Sequence, residues 1–446
     1  MEVIIAGYNK TTEENLNPEI ISASYARTSR DPRSIPEIRD DAKHDVERAR
    51  KSNKAIVFDM GHASIAEHTV FNIDIIGVSR YLVEEIESHR LASYTEKSQR
   101  YVLFDGDYTI PKEIVGTDLE MEFCELAEEQ NKFYHELYPI LVEYFKEKNP
   151  EKYEKEPKTV EGWAKEDARY CISMATQTQL GMTINARNLE MMIRRLRTCN
   201  FEEAHELANL LYEKVYEITP SLFPYTEPSP FEIKQKNIFR DNSAPQDEDI
   251  VMFTKGNGDE KLETVLSYIT PDFDSSDDVI LESLKDMKVF DSAPREFEMI
   301  DFEFSLVISS SCFAQLKRHR MMTIIPSDYS FEIVIPQSVR DTGMTDKFIE
   351  ITNKSFEFSE RLFVINSRLS PYILTNAHCR IVYIKLNLRE FYHFCRMRRD
   401  SHAQWEIRNV ANEMHRLASE ICPKGLSLAC GKHEFNETYK RVYGDN

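Results

Sequence analysis

The chain has 446 residues and a formal net charge of -20, with 41% hydrophobic and 30% charged residues. This length allows two or three ordinary domains, and no apolar run reaches the roughly 18 residues that a transmembrane helix needs. The acidic balance argues against broad nucleic-acid binding, which needs an extended basic surface, but it is compatible with a small phosphate-bearing ligand.

The N-terminus and the cysteines point to a reducing compartment. The opening MEVIIAGYNK lacks a basic leader followed by a long apolar core, so we expect no signal peptide and a cytoplasmic location. The eight cysteines include no CxxC pair. We therefore expect reduced thiols, with no disulfide, zinc site or catalytic cysteine.

The spacing of apolar residues predicts the main elements of the chain. TVFNIDIIGV (69–78) alternates as a half-buried strand does, and a helical pattern that ends near His89 follows it. The segment 121–148 has the spacing of a long amphipathic helix. The strand pattern returns in EMIDFEFSLVI (298–308), again ahead of a helical pattern, which ends near His319. The predicted class is α+β.

A proline-rich stretch near the middle, TPSLFPYTEPSP, predicts a domain boundary. We place a first domain at 1–220, a linker at 221–246 and a second domain at 247–446. Three segments of the first domain have ordered counterparts in the second, which indicates a tandem duplication with two diverged repeats. The pairs are GVSRYLVEEIESHR with ISSSCFAQLKRHR, NARNLEMMIRRLR with NLREFYHFCRMR, and EAHELANLLYEKVYEITP with EIRNVANEMHRLASEICP.

Two clusters carry the side chains best suited to an anion. The first, SHRLASYTEKSQRYV (88–102), offers hydroxyls, backbone N–H groups and arginines in a segment without helical or strand periodicity, as a phosphate-binding loop would. The second, KRHRMMTIIPSDYS (317–330), follows a helix on which Gln315 and Arg318 share one face. A solvated loop and a basic helix end are the structural alternatives. GHASIAEH (61–68) lacks a recognised metal-ligand spacing, and we predict no metal site.

Together these segments resemble the flavin-dependent thymidylate synthase family. The family signature is Arg-His-Arg with a following Ser-x-Asn-Glu-x-Ser-x-Arg-Tyr run, and SHRLASYTEKSQRY (88–101) is similar to it. The upstream GHASIAEHTVFNIDIIGVSR, the two Asn-x-Arg helices and the ending AQWEIR also resemble the family. The resemblance covers most of both repeats, and it implies that each repeat forms an antiparallel sheet with long helices.

The first repeat departs from the family pattern at the Gln-x-x-Arg pair and at the catalytic arginine. Ser88 replaces the first arginine of the signature, and Glu85 stands in place of a glutamine. Leu196 occupies the spacing of the catalytic arginine, with Arg197 directly after it. The phosphate-binding loop of this repeat is intact.

The second repeat has the opposite losses. Gln315, Arg318 and Arg398 match the family at the three positions that the first repeat has lost. The loop positions are changed, and the substitutes are Pro326, Asp328 and, at the position of Arg169, Pro371. Complementary loss indicates that one site has been kept.

The resemblance implies a nucleotide pocket that two subunits share. We therefore predict an intramolecular pseudo-dimer with one competent dUMP pocket, to which both repeats contribute. Arg398 is the expected catalytic residue, since a planar guanidinium suits the delocalised anion of the ionising uracil ring. The expected dUMP-binding residues are Glu96, Ser98, Gln99, Arg100, Arg169, Gln315 and Arg318.

The resemblance also implies three cofactors and cosubstrates, FAD, NADPH and methylenetetrahydrofolate, in a reaction that converts dUMP to dTMP. His62 could help to place the folate instead of the flavin, and His393 replaces a frequent asparagine. Because the family forms homotetramers, we expect a homodimer of the duplicated chain. The expected FAD-contacting residues are His62, Ser64, Glu67, His89, Arg90, Arg318, His319, Arg320, Asn387, Arg389 and His393.

Two other functions are consistent with the broken signatures, and a third is considered beside them. A catalytically silent paralogue would keep FAD or nucleotide binding as a regulatory module. A related pyrimidine nucleotide methylase would form a different product. A scaffold without enzymatic activity rests on the acidic surface alone.

Overall fold

Two antiparallel four-stranded sheets, one in each half of the chain, form the framework of the computed structural model. The strand orders are β1-β2-β4-β3 and β5-β6-β8-β7. The two strand orders are equivalent, which agrees with the predicted duplication. The strands are β1 (Glu2–Tyr8), β2 (Val70–Ser79), β3 (Ala92–Glu96), β4 (Gln177–Asn185), β5 (Leu266–Ile269), β6 (Asp301–Ser309), β7 (Thr323–Ile333) and β8 (His378–Asn387).

The structure describes residues 1–9, 17–55, 62–234, 266–269 and 277–444. Within these ranges the helices before β5 are α1 (Pro18–Thr28), α2 (Ile35–His44), α3 (Val46–Asn53), α4 (Arg80–Glu87), α5 (Asp118–Lys148), α6 (Pro150–Lys155), α7 (Pro157–Ala168), α8 (Ala186–Leu196) and α9 (Glu202–Tyr216). The later helices are α10 (Asp277–Leu284), α11 (Ser310–Leu316), α12 (Gln337–Asp341), α13 (Thr345–Ile365), α14 (Ser370–Ile373), α15 (Leu388–Arg398), α16 (Trp405–Ile421) and α17 (Phe435–Tyr443). Among the described residues, no helix is both long and apolar enough to cross a bilayer.

The strands and the long helix that the apolar spacing predicted are confirmed as β2, β6 and α5. The segment after Arg90 is different from the prediction, because it begins as a strand. Residues 92–96 form β3, whose backbone pairs with β4, for example Tyr94 with Met182. An edge strand with one exposed face carries a weak alternation signal, and the loop begins only at Lys97.

The chain divides into two compact units, and their limits differ from those of the repeats. The first unit comprises Met1–Asn242 with Gln337–Thr375, and the second comprises Ser243–Pro336 with Asn376–Asn446. Helices α12 to α14 of the second repeat therefore belong to the first unit. The predicted linker is described only up to residue 234, and the rest of it lies outside the described residues.

Inside the first unit, α5 and α13 pack as an antiparallel pair. Their apolar contacts include Phe123 with Phe358, whose ring centroids lie 6.3 Å apart, and Phe133 with Phe348, 6.4 Å apart. Gln130 lies between them, fully buried, and its Nε2 donates to the Oγ of Ser355 at 2.8 Å. Ion pairs at heptad spacing flank this seam, as in a coiled coil. They are Glu122 with Arg361, Glu129 with Lys354, and Glu136 with Lys347.

The same buried cap begins the helix after the second strand of each sheet. In the first unit Ser79 caps α4, and its N–H and hydroxyl donate to Glu203 at 2.8 and 2.6 Å. In the second unit Ser309 caps α11 and donates to Glu406 at 3.0 and 2.5 Å. A buried carboxylate needs such donors. The two caps fix the first turns of α4 and α11. His89 and His319 follow the C-terminal ends of these two helices.

Candidate active site

Arg398 ends α15 in the second unit, where two acceptors hold its guanidinium. The helix begins at Asn387, whose side-chain oxygen accepts from the N–H of Glu390 at 2.9 Å. At the other end, Arg398 Nε donates to Nε2 of His319 at 2.8 Å, and Nη2 donates to the carbonyl oxygen of Gln315 at 3.0 Å. Both acceptors lie at the end of α11 or directly after it. The guanidinium is thus oriented by the protein itself.

His319 connects this arginine to a buried carboxylate. Its ring is 4% exposed, and Nδ1 lies 3.2 Å from Oε1 of Glu390. Burial, together with the charges of Arg398 and the neighbouring His393, holds the pKa of His319 well below its usual 6.5. Burial also raises the pKa of Glu390 from 4.5 to about 7. His319 is therefore a neutral imidazole at physiological pH.

Gln315, whose carbonyl oxygen accepts from Arg398, lies on the same turn as Arg318 and His319. Gln315 is buried, and its Nε2 is 3.4 Å from Oε1 of Gln404. Its own Oε1 is buried and has no hydrogen-bond partner among the described residues. Because a buried acceptor without a partner is unfavourable, this oxygen is suited to a ligand N–H. Arg318 is exposed, and its Nε donates to the carbonyl oxygen of Ala314 at 3.2 Å.

In the first unit, Glu166 links the two arginines expected at the phosphate. Arg100 Nε donates to Oε2 of Glu166 at 2.7 Å, and Arg169 Nε donates to its backbone oxygen at 3.2 Å. Arg169 is buried, and burial lowers the pKa of its guanidinium, an effect to which Arg100 and Arg80 add. Clustered guanidinium groups favour a bound anion.

Three neighbouring residues, Glu96, Ser98 and Gln99, are also held within the first unit. The Oγ of Ser98 accepts from the N–H of Arg100 at 3.2 Å, which turns the backbone after β3. Glu96 is buried at the end of β3 and forms an ion pair with Arg80. Gln99 is buried as well. The structure thus brings Glu96, Ser98, Gln99, Arg100 and Arg169 into one unit, and Gln315, Arg318 and Arg398 into the other.

Sequence reasoning missed three charged residues of these clusters, namely Arg80, Glu166 and Glu390. All three are buried. Arg80 directly follows the capping Ser79, and Glu390 lies inside an Asn-x-Arg helix that the sequence had already marked. Charged residues at such positions are usually exposed, so their spacing gave no signal of their buried contacts with Glu96, Arg100 and His319, respectively.

Three positions of the first repeat depart from the residues that the family resemblance predicts at the site. Leu196 is 1% exposed and packs in the core of the first unit. Arg197 bonds the segment after α9, with Nη1 2.9 Å from the Oγ1 of Thr226. Glu85 accepts from Nη2 of Arg368 at 2.9 Å. Each side chain therefore has a structural role within this unit.

In the second repeat, the segment equivalent to the phosphate-binding loop is part of a strand. Pro326 and Asp328 lie in β7, which pairs with β8 through two register irregularities. Arg380 of β8 fixes this segment, with Nε donating to the carbonyl oxygen of Ser327 at 2.8 Å and its guanidinium 4.0 Å from the ring centre of Tyr329. Ser327 and Asp328 fall in the irregularity between Pro326 and Tyr329, and Arg380 occupies the carbonyl oxygen of Ser327.

The residues expected at the flavin fall into two groups. Buried and half-buried members are engaged within the protein: Nδ1 of His89 lies 3.2 Å from two backbone oxygens, and the half-buried Asn387 caps α15. Arg389 pairs with Glu298, just as Arg187 pairs with Glu67 in the other repeat. The exposed members are His62, Ser64, Glu67, Arg90, Arg318, Arg320 and His393.

Comparison with known proteins gave matches over both repeats. The family model described as thymidylate synthase complementing protein matches residues 11–221 and 271–424. A flavin-dependent thymidylate synthase of Clostridium tetani is 34% identical over 226 residues, which is 49% of this chain and 86% of that protein. The UPF0159 protein Ta1429 of Thermoplasma acidophilum is 24% identical over 458 residues, 87% of this chain and 91% of that protein.

Among solved structures, a flavin-dependent thymidylate synthase of Helicobacter pylori complexed with FAD and dUMP is 21% identical. The match covers 51% of this chain and 100% of that chain, with a TM-score of 0.34.

Proposed function

The chain belongs to the thymidylate synthase complementing protein family, and from that premise we propose that it is a flavin-dependent thymidylate synthase. The proposed reaction converts dUMP to dTMP with methylenetetrahydrofolate as carbon donor and NADPH-reduced FAD as hydride source. Relatives that carry this name, such as the Clostridium tetani protein, support the proposal. The observation that carries it is the fixed guanidinium of Arg398, which is held by His319 and Gln315.

Arg398 is the proposed catalytic residue. A guanidinium that is oriented before the substrate binds stabilises developing negative charge without reorganising. As the uracil ring ionises, Arg398 would stabilise the anion and so activate carbon 5. The buried Oε1 of Gln315 would accept a hydrogen bond from the ring, and Arg318 would assist binding.

The cluster around Glu166 is the proposed phosphate site. Arg100 and Arg169 would pair with the phosphate, and Ser98 would donate its hydroxyl. Glu96 and Gln99 are acceptors suited to the sugar hydroxyl. Arg80 and Glu166 would not touch the nucleotide but would hold Glu96 and Arg100 in place.

We further propose that the two sets serve one nucleotide, and that no second competent pocket exists. The support is the complementary loss in sequence and the structural roles taken by the residues that replaced the lost ones. Leu196 is in the core, Glu85 is paired with Arg368, and Asp328 lies in a strand. The pairing of α5 with α13, one helix from each repeat, is the kind of contact that an intramolecular pseudo-dimer requires.

The residues present fit FAD by the chemistry of their donors. Arg90, Arg318 and Arg320 are exposed guanidinium groups that suit a pyrophosphate. His62, Ser64 and Glu67, with Asn387, Arg389 and His393, would orient the remainder of the cofactor, and His89 would support Arg90. When bound, FAD would supply the hydride chemistry. Both ring nitrogens of His319 are bonded inside the protein, so we place it behind Arg398.

Turnover of the full-length chain tests the proposed function. We expect dUMP-dependent oxidation of NADPH in the presence of FAD and methylenetetrahydrofolate, with dTMP identified by mass. Flavin and dUMP binding without turnover would instead indicate the silent paralogue. A methylated product other than dTMP would indicate the related methylase, and failure to bind added FAD would favour the scaffold.

We propose a homodimer as the assembly. Because the family forms homotetramers of single repeats, two duplicated chains would supply the same number of repeats. Light scattering of the flavin-loaded protein measures this directly, and a flavin-bound monomer would contradict it.

A further inference from the structure

We propose that Glu390 is a positioning residue for Arg398 and that it acts through His319. This inference rests on the proposed function only where it calls Arg398 catalytic. The coupling itself is a property of three side chains in the second unit, and it can be tested without turnover.

Hydrogen-bond chemistry fixes the direction of the coupling. The Nε–H of an arginine can only donate, so Nε2 of His319, 2.8 Å away, is the acceptor. A neutral imidazole that accepts at Nε2 carries its proton on Nδ1. That proton points at Oε1 of Glu390, and the distance from Nδ1 to Oε1 is 3.2 Å. Glu390 thus selects the only neutral tautomer of His319 that can hold Arg398.

The first repeat provides an internal comparison. His89 is the counterpart of His319, and its Nδ1 faces the backbone oxygens of Glu85 and Ile86 at 3.2 Å each. Asn188 stands at the same distance from the capping asparagine as Glu390 does, and Leu196 stands at the arginine position. The carboxylate is therefore found in the repeat that keeps the arginine. The histidine alone is common to both.

The burial of Glu390 agrees with a functional role. Removing a carboxylate from water is unfavourable, and burial raises its pKa to about 7. A leucine of similar volume would avoid this cost. A carboxylate kept at such a position, next to a neutral histidine, is typical of a side chain that orients a reactive group.

A metal site is the competing interpretation of the same residues. The donor atoms of His319, Glu390 and His393 all lie within 4.8 Å of one another. Two histidines and a carboxylate can bind a divalent transition metal. However, burial lowers the pKa of His393, and the charges of Arg396, Arg398 and Lys432 lower it further. These nearby positive charges oppose the binding of a metal cation. The hydrogen-bonded chain is therefore the better account.

A comparison of Glu390→Leu with Glu390→Gln separates two roles of the carboxylate, hydrogen-bond acceptance and negative charge. Leucine removes the acceptor, whereas glutamine keeps an acceptor oxygen and loses the charge. Glu190→Leu is the matched control, because Glu190 is equally buried on the corresponding helix α8 but accepts from the N–H of Tyr225 at 2.7 Å. Nitrogen NMR of the full-length chain labelled at histidine and arginine reports the tautomer of His319 and the exchange of the Nε–H of Arg398.

We expect the wild-type protein to show the Nδ1–H tautomer and a slowly exchanging Nε–H at Arg398. Glu390→Leu should populate the other tautomer and raise the exchange rate about 10-fold or more, whereas Glu190→Leu should change neither. Equal spectra for wild type and Glu390→Leu would overturn the proposal. So would Zn²⁺ binding to the chelator-treated wild type that shifts both His319 and His393 and is lost in Glu390→Leu.

Kinetics add a second readout that a merely structural role would not give. In Glu390→Leu, kcat should fall about 10- to 100-fold, as for residues that orient a reactive group, while KM for dUMP stays within about 2-fold. Glu390→Gln should recover most of the loss. The melting temperature of Glu390→Leu should be equal to or above that of wild type, and a fall in melting temperature with unchanged kcat would contradict the proposal. A wild-type chain without turnover would refute the proposed function alone, and the NMR comparison would still decide the coupling.

Discussion

Glu85 of the first repeat and Arg368 of the second form a largely buried ion pair inside the first unit, with 2.9 Å between Arg368 Nη2 and Glu85 Oε1. The arginine also lies over the rings of Tyr81 and Phe201. In the second repeat the position of Glu85 is Gln315, with a side-chain oxygen that has no partner among the described residues. Of these two equivalent positions, Glu85 forms a structural contact, whereas Gln315 is a candidate binding residue.

Replacing Arg368 should therefore affect stability and leave turnover unchanged. Arg368→Met removes the ion pair of a largely buried carboxylate, which costs on the order of 2 to 4 kcal/mol of unfolding free energy. Urea denaturation measures this loss. The double variant Arg368→Met with Glu85→Gln should regain most of it. A large fall in kcat for dUMP in the folded single variant would show that this position still serves catalysis.

The two arginines that end the equivalent helices should respond differently to truncation. Arg398→Ala removes the proposed stabiliser of the uracil anion, and we expect kcat to fall about 10²- to 10³-fold. Arg197→Ala breaks bonds to Thr226 and Asn209, so it should lower the unfolding free energy by about 1 to 2 kcal/mol and largely spare turnover. Steady-state assays on both folded variants make the comparison, and equal loss of kcat would mean that both repeats are active.

The cluster around Glu166 predicts that replacing Arg100 weakens the binding of dUMP but not that of deoxyuridine. Arg100→Gln removes a charge-assisted hydrogen bond worth about 1.5 to 3 kcal/mol, so the Kd for dUMP should rise about 10- to 100-fold. Deoxyuridine, which lacks the phosphate, should bind wild type and variant alike in equilibrium dialysis. Lys97→Gln removes an equal charge from the same loop and should change the Kd by less than about 2-fold. A comparable effect of Lys97→Gln would indicate general attraction instead of a specific site.

The helix pair predicts that apolar contacts contribute more than its ion pairs. Phe358→Ala deletes a buried ring that packs on Phe123, at a cost of about 3 to 5 kcal/mol. Lys354→Ala removes an exposed pairing with Glu129 and should cost less than about 1 kcal/mol. Thermal and denaturant unfolding of the two variants test this order. The reverse order would show that electrostatics dominate the seam.

Glu390 predicts a pH-dependent stability. Its pKa in the folded protein, about 7, is above the usual 4.5, so the folded state binds the proton more tightly than the unfolded state. The resulting stabilisation is complete below pH 4.5 and is lost as the pH rises to about 7, by on the order of 3 kcal/mol. The titratable groups beside it are His319 and His393, whose pKa values lie below 6.5.

The measurement compares unfolding free energies of wild type and Glu390→Gln across this range. Wild type should lose stability relative to the variant between pH 4.5 and 7. A constant difference would mean that Glu390 keeps an ordinary pKa in the folded protein.

The sequence predicts most elements and some site residues, for identifiable physical reasons. Strand β2 and helix α5 have one buried face each, and such faces leave a periodic pattern. Strand β6 alternates only over its first residues and is buried on both faces from Phe304 onward. The loop residues and Arg398 were found through a resemblance to a family motif. Arg80 and Glu390 were not found, because their roles depend on which charges meet after folding, and spacing along the chain does not record such contacts.

The sequence could not predict, for a similar reason, that α13 of the second repeat belongs to the first unit. An amphipathic helix shows that it needs a partner, but its apolar face does not identify the partner. Only the matched positions of Phe123 with Phe358 and Phe133 with Phe348 show that α5 is that partner.

The antiparallel seam between α5 and α13 has a consequence for how the repeats could diverge. In an assembly of identical subunits, every substitution appears in each copy, so a site cannot lose a residue on one side only. Here the partner of Gln130 is Ser355 of the same chain. In the proposed pseudo-dimer, the two repeats are therefore encoded separately and can differ. Substitutions such as Leu196 and Pro326 then change one member of a pair while the other member keeps the residue of the family pattern. Covalent linkage converts a symmetric assembly into an asymmetric one in which the two members can specialise.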